Sequence, residues 1–179
     1  WGASFLFMRI GAGEFGPIAL VFVRVTGAAA VLLPLILWRG ELAMLLKHWR
    51  PIAIVGLTNS AIPFLLFSYA VLTITGSLAS VFNAATPLFG AFIGWLWLRQ
   101  GLTTTRVAGL VIGFAGVALL ASRSAGFHAG GDGSALWAVL ACLGACLCYG
   151  ISASATRRWL QGVPALATAT GSQVGATLF

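Results

Sequence analysis

The chain has 179 residues, of which 60% are hydrophobic and 7% are charged, and its mean hydropathy is +1.01. A soluble domain carries about 25% charged residues, so this composition excludes a soluble globular domain and predicts a polytopic membrane protein. The net charge of +7 comes from basic residues scattered singly or in pairs beside apolar runs. Such scatter is typical of topology signals and not of a nucleic-acid-binding patch.

Five apolar runs are long enough to cross a bilayer as helices, since a span needs about 20 apolar residues. The predicted spans cover residues 18–38, 52–73, 78–98, 105–122 and 135–153. A further apolar run at each end of the chain amounts to about half a span. Both ends therefore look cut, and we expect the chain to be part of a longer protein. The expected fold class is an all-α polytopic membrane protein, a helical bundle truncated at both ends.

Lysine and arginine are concentrated in alternate loops. Residues 39–51, 99–106 and 156–163 together hold seven of these basic residues, whereas the intervening loops hold only Arg123. Because loops rich in lysine and arginine stay in the cytoplasm, these three loops are predicted to be cytoplasmic. The protein is expected to be a multi-pass protein of the cell inner (plasma) membrane, with the lipid bilayer as one partner.

Two stretches of the chain resemble each other, WGASFLFMRIGAGEFGP at the start and YGISASATRRWLQGVP further on. Each has an arginine eight residues after its first aromatic residue, Arg9 or Arg157, and each reaches a proline that opens the next helix, Pro17 or Pro164. Five predicted spans separate the two starts, so the second copy enters the membrane with the opposite orientation. This pattern indicates inverted five-helix repeats, which are found in many secondary transporters.

Arg24 is a charged residue inside the first complete span. A guanidinium cannot lose its charge by deprotonation, so the side chain either snorkels to the outer interface or points into the bundle. Its helical face carries small residues that suit helix contact, Gly27, Ala28 and Val31, and the opposite face carries residues that suit lipid, Val25, Leu32 and Ile36. We therefore predict that Arg24 points into the bundle, where it binds backbone carbonyls or an anionic group of a solute.

Other polar residues within the spans are candidates to line a cavity. Pro63 lacks an N–H and frees the carbonyl of Asn59, which is tolerated at membrane depth only where it is buried or faces water. Tyr69 follows on the same helix. Asn83 belongs to a stripe of small and polar residues spaced three and four apart, which suits either helix packing or a cavity wall; the stripe comprises Ser80, Asn83, Pro87, Gly90 and Gly94.

These features together resemble the drug/metabolite transporter superfamily, in its EamA-type branch. The residues that carry the resemblance are Trp1-Gly2, Pro17, Arg24, Tyr69-Ala70, Thr86-Pro87 and LRQGLTTTRVAGLVIGFAGVALL. Such proteins usually have ten helices in two five-helix repeats. The sequence departs from the family at Gln100, where a glutamate often follows the fourth helix, and at Gly171, which aligns with Arg24 when Pro17 and Pro164 are aligned.

The resemblance implies how the chain is divided. Residues 1–122 would form the first EamA-like repeat without the start of its first helix, residues 123–134 an extracytoplasmic loop, and residues 135–179 the incomplete start of the second repeat. The substrate pathway predicted from the residues and the resemblance comprises Arg24, Asn59, Tyr69, Asn83 and Trp1.

The function implied is that of a secondary transporter that moves a small organic metabolite, an amino acid or a related solute, by alternating access, with efflux as the candidate direction. The alternative is a membrane interaction or assembly subunit without transport, which a sealed bundle lacking a central pocket would favour. An enzyme is not expected, because the sequence shows no cluster of His, Asp or Glu at one membrane face.

No cofactor or metal site is expected. Three cysteines fall in one apolar helical stretch without a histidine or acid beside them, and are interpreted as small buried residues; they are Cys142, Cys146 and Cys148. The expected partners are therefore a small-molecule solute and the bilayer, with no nucleic acid. The GxxxG motif from Gly109 to Gly113 favours packing within the bundle, with a homodimer as the other interpretation.

Overall fold

The computed structural model of the protein describes residues 2–126 and 133–178. All regular structure in that part of the chain is helical. The elements are α1 (Gly2–Phe15), α2 (Pro17–Arg39), α3 (Leu42–Lys47), α4 (Trp49–Gly56), a π-helical turn (Leu57–Ala61), α5 (Ile62–Thr73), α6 (Gly76–Asn83), α7 (Thr86–Leu98), α8 (Thr104–Gly126), α9 (Ser134–Trp159) and α10 (Ala165–Leu178).

Within residues 2–126 and 133–178, five helical segments are long and apolar enough to cross a membrane: Pro17–Arg39, Trp49–Thr73, Gly76–Leu98, Thr104–Arg123 and Ser134–Trp159. Each contains one of the five predicted spans. The all-α polytopic membrane fold is thereby confirmed. The flanking helices α1 and α10 have 14 residues each.

Two of the five spans are interrupted near proline. The second span changes from α4 to a π-helical turn and then to α5, with Pro63 in the first turn of α5. The third span stops at Asn83 and resumes at Thr86, directly before Pro87. Proline removes a backbone donor and clashes with the preceding turn, so both interruptions follow from the sequence.

Helix α9 is the central packing element, and it contacts α5, α6 and α7. The backbones of α7 and α9 approach closely at Gly150, where an added Cβ would lie 2.9 Å from the carbonyl oxygen of Phe89. Cys142 and Cys146 are fully buried, as predicted, and the Cys146 thiol donates a 3.3 Å hydrogen bond to a backbone carbonyl of α6. Cys148 is only partly buried.

The three basic loops meet at one end of the bundle, which we call the basic end. An apolar cluster joins α4 to the end of α9 and to the segment that follows it, with Trp97 of α7 packed against it. The Trp97 and Trp159 rings also pack edge to face, with their centroids 5.3 Å apart. Because successive spans run in opposite directions, the loops at residues 39–51, 99–106 and 156–163 share this end.

The GxxxG motif of α8 is divided between two environments. An added Cβ at Gly113 would lie 2.7 Å from the side chain of Leu88 on α7, so this glycine packs within the bundle. The same test at Gly109 finds no atom within 4 Å. Packing within the bundle, the favoured interpretation, therefore describes Gly113 but not Gly109.

Candidate functional site

A cavity of about 660 Å³ lies among α2, the two interrupted spans, α9 and α10. Its lining combines one guanidinium, three hydroxyl groups and three carboxamides with aromatic and small apolar groups. The lining residues are Arg24, Ala28, Asn59, Ser60, Phe64, Asn83, Thr86, Tyr149, Ala153 and Gln173. We call this space the central cavity.

The interruptions in the spans place polar groups well inside the apolar segments. Asn59 and Ser60 lie in the π-helical turn, and Asn83 is the last residue of α6. Asn59 is ten residues from the start of its span at Trp49, or about 15 Å at 1.5 Å per residue, which is half of a hydrocarbon core about 30 Å thick. Irregular backbone at this depth is tolerated where it borders a polar cavity.

Arg24 lines the central cavity and is partly buried. Its guanidinium carbon lies 4.2 Å from the centroid of the Phe64 ring, in cation–π geometry. Within the described residues it forms no ion pair. A guanidinium has five N–H donors in a planar fork, so the site offers a positive charge with donors that a carboxylate can engage in a bidentate manner.

The predicted inward orientation of Arg24 agrees with this placement, as does that of Ala28, but part of the remaining assignment of the faces of α2 was wrong. Val25 and Ile36, expected to face lipid, are 1% and 0% exposed, whereas Val31, expected to face the bundle, is 66% exposed. The reason is α10, which packs along α2 and brings Ala176 into the same cluster as Val25. A helical wheel of α2 alone cannot show which face a distant segment covers.

The two predicted asparagines both line the central cavity. Asn83 Oδ1 accepts a 3.3 Å hydrogen bond from the hydroxyl of Thr86, across the break between α6 and α7. The asparagine amide nitrogen then remains as a donor for a bound solute. Asn59 lies on the other interrupted span, in the π-helical turn. The structure therefore brings Arg24, Asn59 and Asn83 together from three separate parts of the sequence.

Gln173 is a cavity residue that the sequence reasoning missed. Its Nε2 donates a 3.1 Å hydrogen bond to Oγ of Ser60, a fully buried residue. Aligning the prolines of the two repeats pointed instead to Gly171, where an added Cβ would lie 2.5 Å from Cγ2 of Ile52. Gly171 thus serves helix packing. The available signal was that Gln173 carries the only long polar side chain in the segment ALATATGSQVGATLF.

The remaining predicted pathway residues lie elsewhere. Tyr69 is 51% exposed on α5 and does not line the central cavity. Trp1 lies outside the described residues. The tyrosine that lines the cavity is Tyr149, the first residue of the second repeated stretch, with its ring stacked at 6.4 Å from that of Phe67. The aromatic start of that repeat was the signal that could have identified it.

Arg24 also borders the space on the α1 side of the central cavity. A crevice of about 270 Å³ lies among α1, α2 and α5, and Arg24 and Ser68 are among its lining residues. A constriction of about 10 Å³ adjoins both spaces and shares Arg24, Phe64 and Asn83 with the central cavity. The guanidinium and its aromatic neighbour therefore lie at the neck between the crevice and the central cavity.

A larger groove lies away from these polar groups. A groove of about 830 Å³ between α7, α8 and α9 is lined only by apolar side chains, including Phe92, Trp95 and Phe114. Among its lining side chains, the indole N–H of Trp95 is the one conventional hydrogen-bond donor, and none is charged. An apolar groove of this kind offers a polar solute little specific recognition, so the smaller polar cavity is the candidate functional site.

Comparison with known proteins identifies several transporters similar to this chain. A probable terminal-alkyne amino-acid exporter of Streptantibioticus cattleyicolor is 28% identical over 177 residues, which cover 97% of this chain and 54% of that protein. An uncharacterized transporter of Archaeoglobus fulgidus is 27% identical over 124 residues, covering 69% of this chain and 42% of that protein. An uncharacterized transporter of Bacillus subtilis is 25% identical over 128 residues, covering 72% and 42%.

The chain spans about half the length of these curated relatives. No solved structure shows a significant match to it. The model of the EamA-like transporter family matches residues 1–122, about two thirds of the chain. This match agrees with the resemblance read from the sequence and with the multi-pass helical fold. The chain belongs to the EamA-like transporter family.

Proposed function

We propose that the full-length protein is a secondary transporter for a small organic solute that carries an anionic group, an amino acid or a closely related metabolite. The observation that carries the proposal is the central cavity, in which an arginine without an ion pair among the described residues shares one space with three carboxamides. Two interrupted spans and helices from both proposed repeats contribute to it, as in transporters that bind solute at the membrane midplane.

The chemistry of the cavity favours a carboxylate. Arg24 supplies a charge-assisted, bidentate site, while the carboxamides of Asn59, Asn83 and Gln173 add donors and acceptors. The Phe64 and Tyr149 rings supply apolar surface for the rest of a small solute. The name of the Streptantibioticus cattleyicolor relative supports an amino acid as the solute and efflux as the direction.

Transport would proceed by alternating access, with one group of helices rocking against another around the central cavity. The basic end would face the cytoplasm, because arginine and lysine at residues 39–51, 99–106 and 156–163 oppose translocation. In this orientation the crevice beside Arg24 lies toward the outer side of the membrane. The protein would then be a multi-pass protein of the plasma membrane.

The alternative of an assembly subunit without transport has less support. Such a subunit has no need of a polar cavity at the centre of its bundle, where polar groups are costly unless they serve a function or are paired. The 660 Å³ cavity and its arginine are therefore better explained by a carrier. The assembly role remains the outcome to accept if no solute moves.

The test is a flux assay on the full-length protein in liposomes. Vesicles are loaded with a panel of amino acids and related metabolites that includes a terminal-alkyne amino acid, and efflux is followed for wild type and Arg24→Ala. We expect efflux of at least one solute with a carboxylate, and loss of that efflux in Arg24→Ala. Arg158→Ala is the matched control, because this basic-end arginine does not line the central cavity. Absence of flux across the panel would overturn the proposal.

A further inference from the structure

A second polar groove lies at the basic end, between α7, the start of α8 and α9. Its volume is about 360 Å³. It is lined by Pro87, Gly90, Ala91, Gly94, Gln100, Leu102, Arg106, Ala153, Ser154 and Arg157. We call it the basic groove. Ala153 lines both this groove and the central cavity, so the two spaces adjoin.

Two arginines give the basic groove its charge. Arg106 comes from the first turn of α8 and Arg157 from the last turn of α9, so residues far apart in sequence supply one positive surface. Neither arginine forms an ion pair within the described part of the chain. The sequence analysis interpreted both as topology signals, and Arg157 also marks the second repeated stretch. Two unneutralised guanidiniums on one concave surface create a positive potential that attracts anions.

The neutral part of the groove is preformed. Gln100 is folded back over α7, where its backbone N–H donates a 3.4 Å hydrogen bond to the carbonyl of Gly94. Its Oε1 lies 3.4 Å from the position of an added Cβ on Gly94. Arg99 permits this turn by adopting a left-handed conformation with φ 50°. An added Cβ at position 94 would therefore be in ordinary van der Waals contact with the Gln100 carboxamide, which lies close against α7.

We propose that the basic groove is a second anion site, which receives the carboxylate of the solute at the basic end before the solute reaches Arg24. The identity of the anion as the transported solute rests on the proposed function. The positive charge of the groove does not depend on that function. Ala153 lines both spaces, so the groove with Arg106 and Arg157 neighbours the cavity that holds Arg24. Ser154 adds a hydroxyl to the groove, and Thr86 adds one to the central cavity.

The charge of the groove is tested by cysteine labelling of the full-length protein in detergent. A cysteine is introduced as Ala153→Cys, or as Ala91→Cys if the first variant fails to fold, and labelling of the parent without it is subtracted. The probes are an anionic sulfonatoethyl and a cationic trimethylammonioethyl methanethiosulfonate. We expect the anionic reagent to react faster than the cationic one. Arg106→Gln and Arg157→Gln should each lower the anion-to-cation rate ratio about tenfold, because one guanidinium at about 6 Å in water attracts the anionic reagent and repels the cationic one.

Arg158→Gln is the matched control, because Arg158 neighbours Arg157 in sequence but does not line the groove. It should leave the ratio unchanged. Specific anion binding is tested with sodium propionate against sodium chloride at equal ionic strength. Propionate should slow labelling by the anionic reagent in the parent and not in the Arg106→Gln, Arg157→Gln double variant.

The proposal is overturned if the ratio is insensitive to Arg106 and Arg157, if Arg158→Gln lowers it equally, or if propionate protects no better than chloride. Labelling requires no transport, so its outcome is independent of the liposome assay. If the liposomes show solute flux but labelling shows no preference for the anionic reagent, this inference alone is overturned. If labelling shows the preference but the liposomes show no flux, the proposed transport function alone is overturned.

Discussion

The contact between α4 and α10 depends on Gly56, and replacing this glycine with alanine should separate the two helices. A Cβ on Gly56 would lie 2.5 Å from the carbonyl oxygen of Ser172 and 3.0 Å from its Cα. Both atoms are backbone, so no side-chain rotation can relieve the clash. Reaching an ordinary contact of about 3.4 Å requires α10 to move about 0.9 Å from α4.

The movement has a cost that can be estimated from neighbouring contacts. Overpacking of this kind destabilises by about 1–3 kcal/mol, while alanine in place of glycine within a helix recovers up to about 1 kcal/mol. A 3.1 Å hydrogen bond also joins Gln173 of α10 to Ser60, which lies in the π-helical turn directly after Gly56. A shift of about 0.9 Å lengthens it beyond useful range and removes about 1 kcal/mol more. The net loss expected is about 1–3 kcal/mol.

Thermal unfolding of the purified full-length protein in detergent measures this loss. The readout is the fraction of protein that still elutes as a monodisperse peak after heating. Gly109→Ala is the matched control, since it lies in a transmembrane helix where an added Cβ meets no atom within 4 Å. We expect Gly56→Ala to melt a few degrees below wild type, and Gly109→Ala to melt at or above it. Equal melting of the two variants would refute the close approach of α4 and α10.

Three further predictions concern the central cavity. Arg24→Lys keeps the charge but loses the planar fork, so kcat/KM for the transported solute should fall about tenfold or more in the liposome assay; transport at the wild-type rate would rule out bidentate recognition by Arg24. Gln173→Leu leaves the hydroxyl of Ser60 buried without its partner, which should lower the free energy of unfolding by about 1–3 kcal/mol. A Ser60→Ala, Gln173→Leu double variant removes that hydroxyl and should recover part of the lost thermal stability. Tyr149→Phe should alter KM whereas Tyr69→Phe should not, because only Tyr149 lines the cavity; the same KM for both would indicate that the Tyr149 hydroxyl does not touch the solute.

Much of the architecture could be predicted because it depends on local physics. The number and position of the spans follow from runs of apolar residues measured against the thickness of a bilayer. The interruption of the second span follows from Pro63, which lacks the backbone N–H of a helical hydrogen bond whatever the tertiary structure. These effects act within one helix, so they are visible in sequence order alone.

The site was predictable only in part. Arg24, Asn59 and Asn83 stood out because a polar side chain inside an apolar span requires a polar surrounding, and all three line the central cavity. Tyr69 offered the same kind of signal and lies on the exposed side of α5. Whether a polar residue faces a cavity or the exterior depends on the neighbours of its helix, which the sequence does not place.

The sequence by itself determined that this is an all-α membrane protein with five apolar spans and basic residues in alternate loops, because hydropathy and charge act residue by residue along the chain. Only the tertiary structure decided which polar groups share a space. It set Gln173 against Ser60 and brought Arg106 and Arg157 to one groove, since such meetings depend on helix packing between residues far apart in the chain. It also buried Val25, which a wheel of α2 assigned to lipid, because α10 covers that side of the helix.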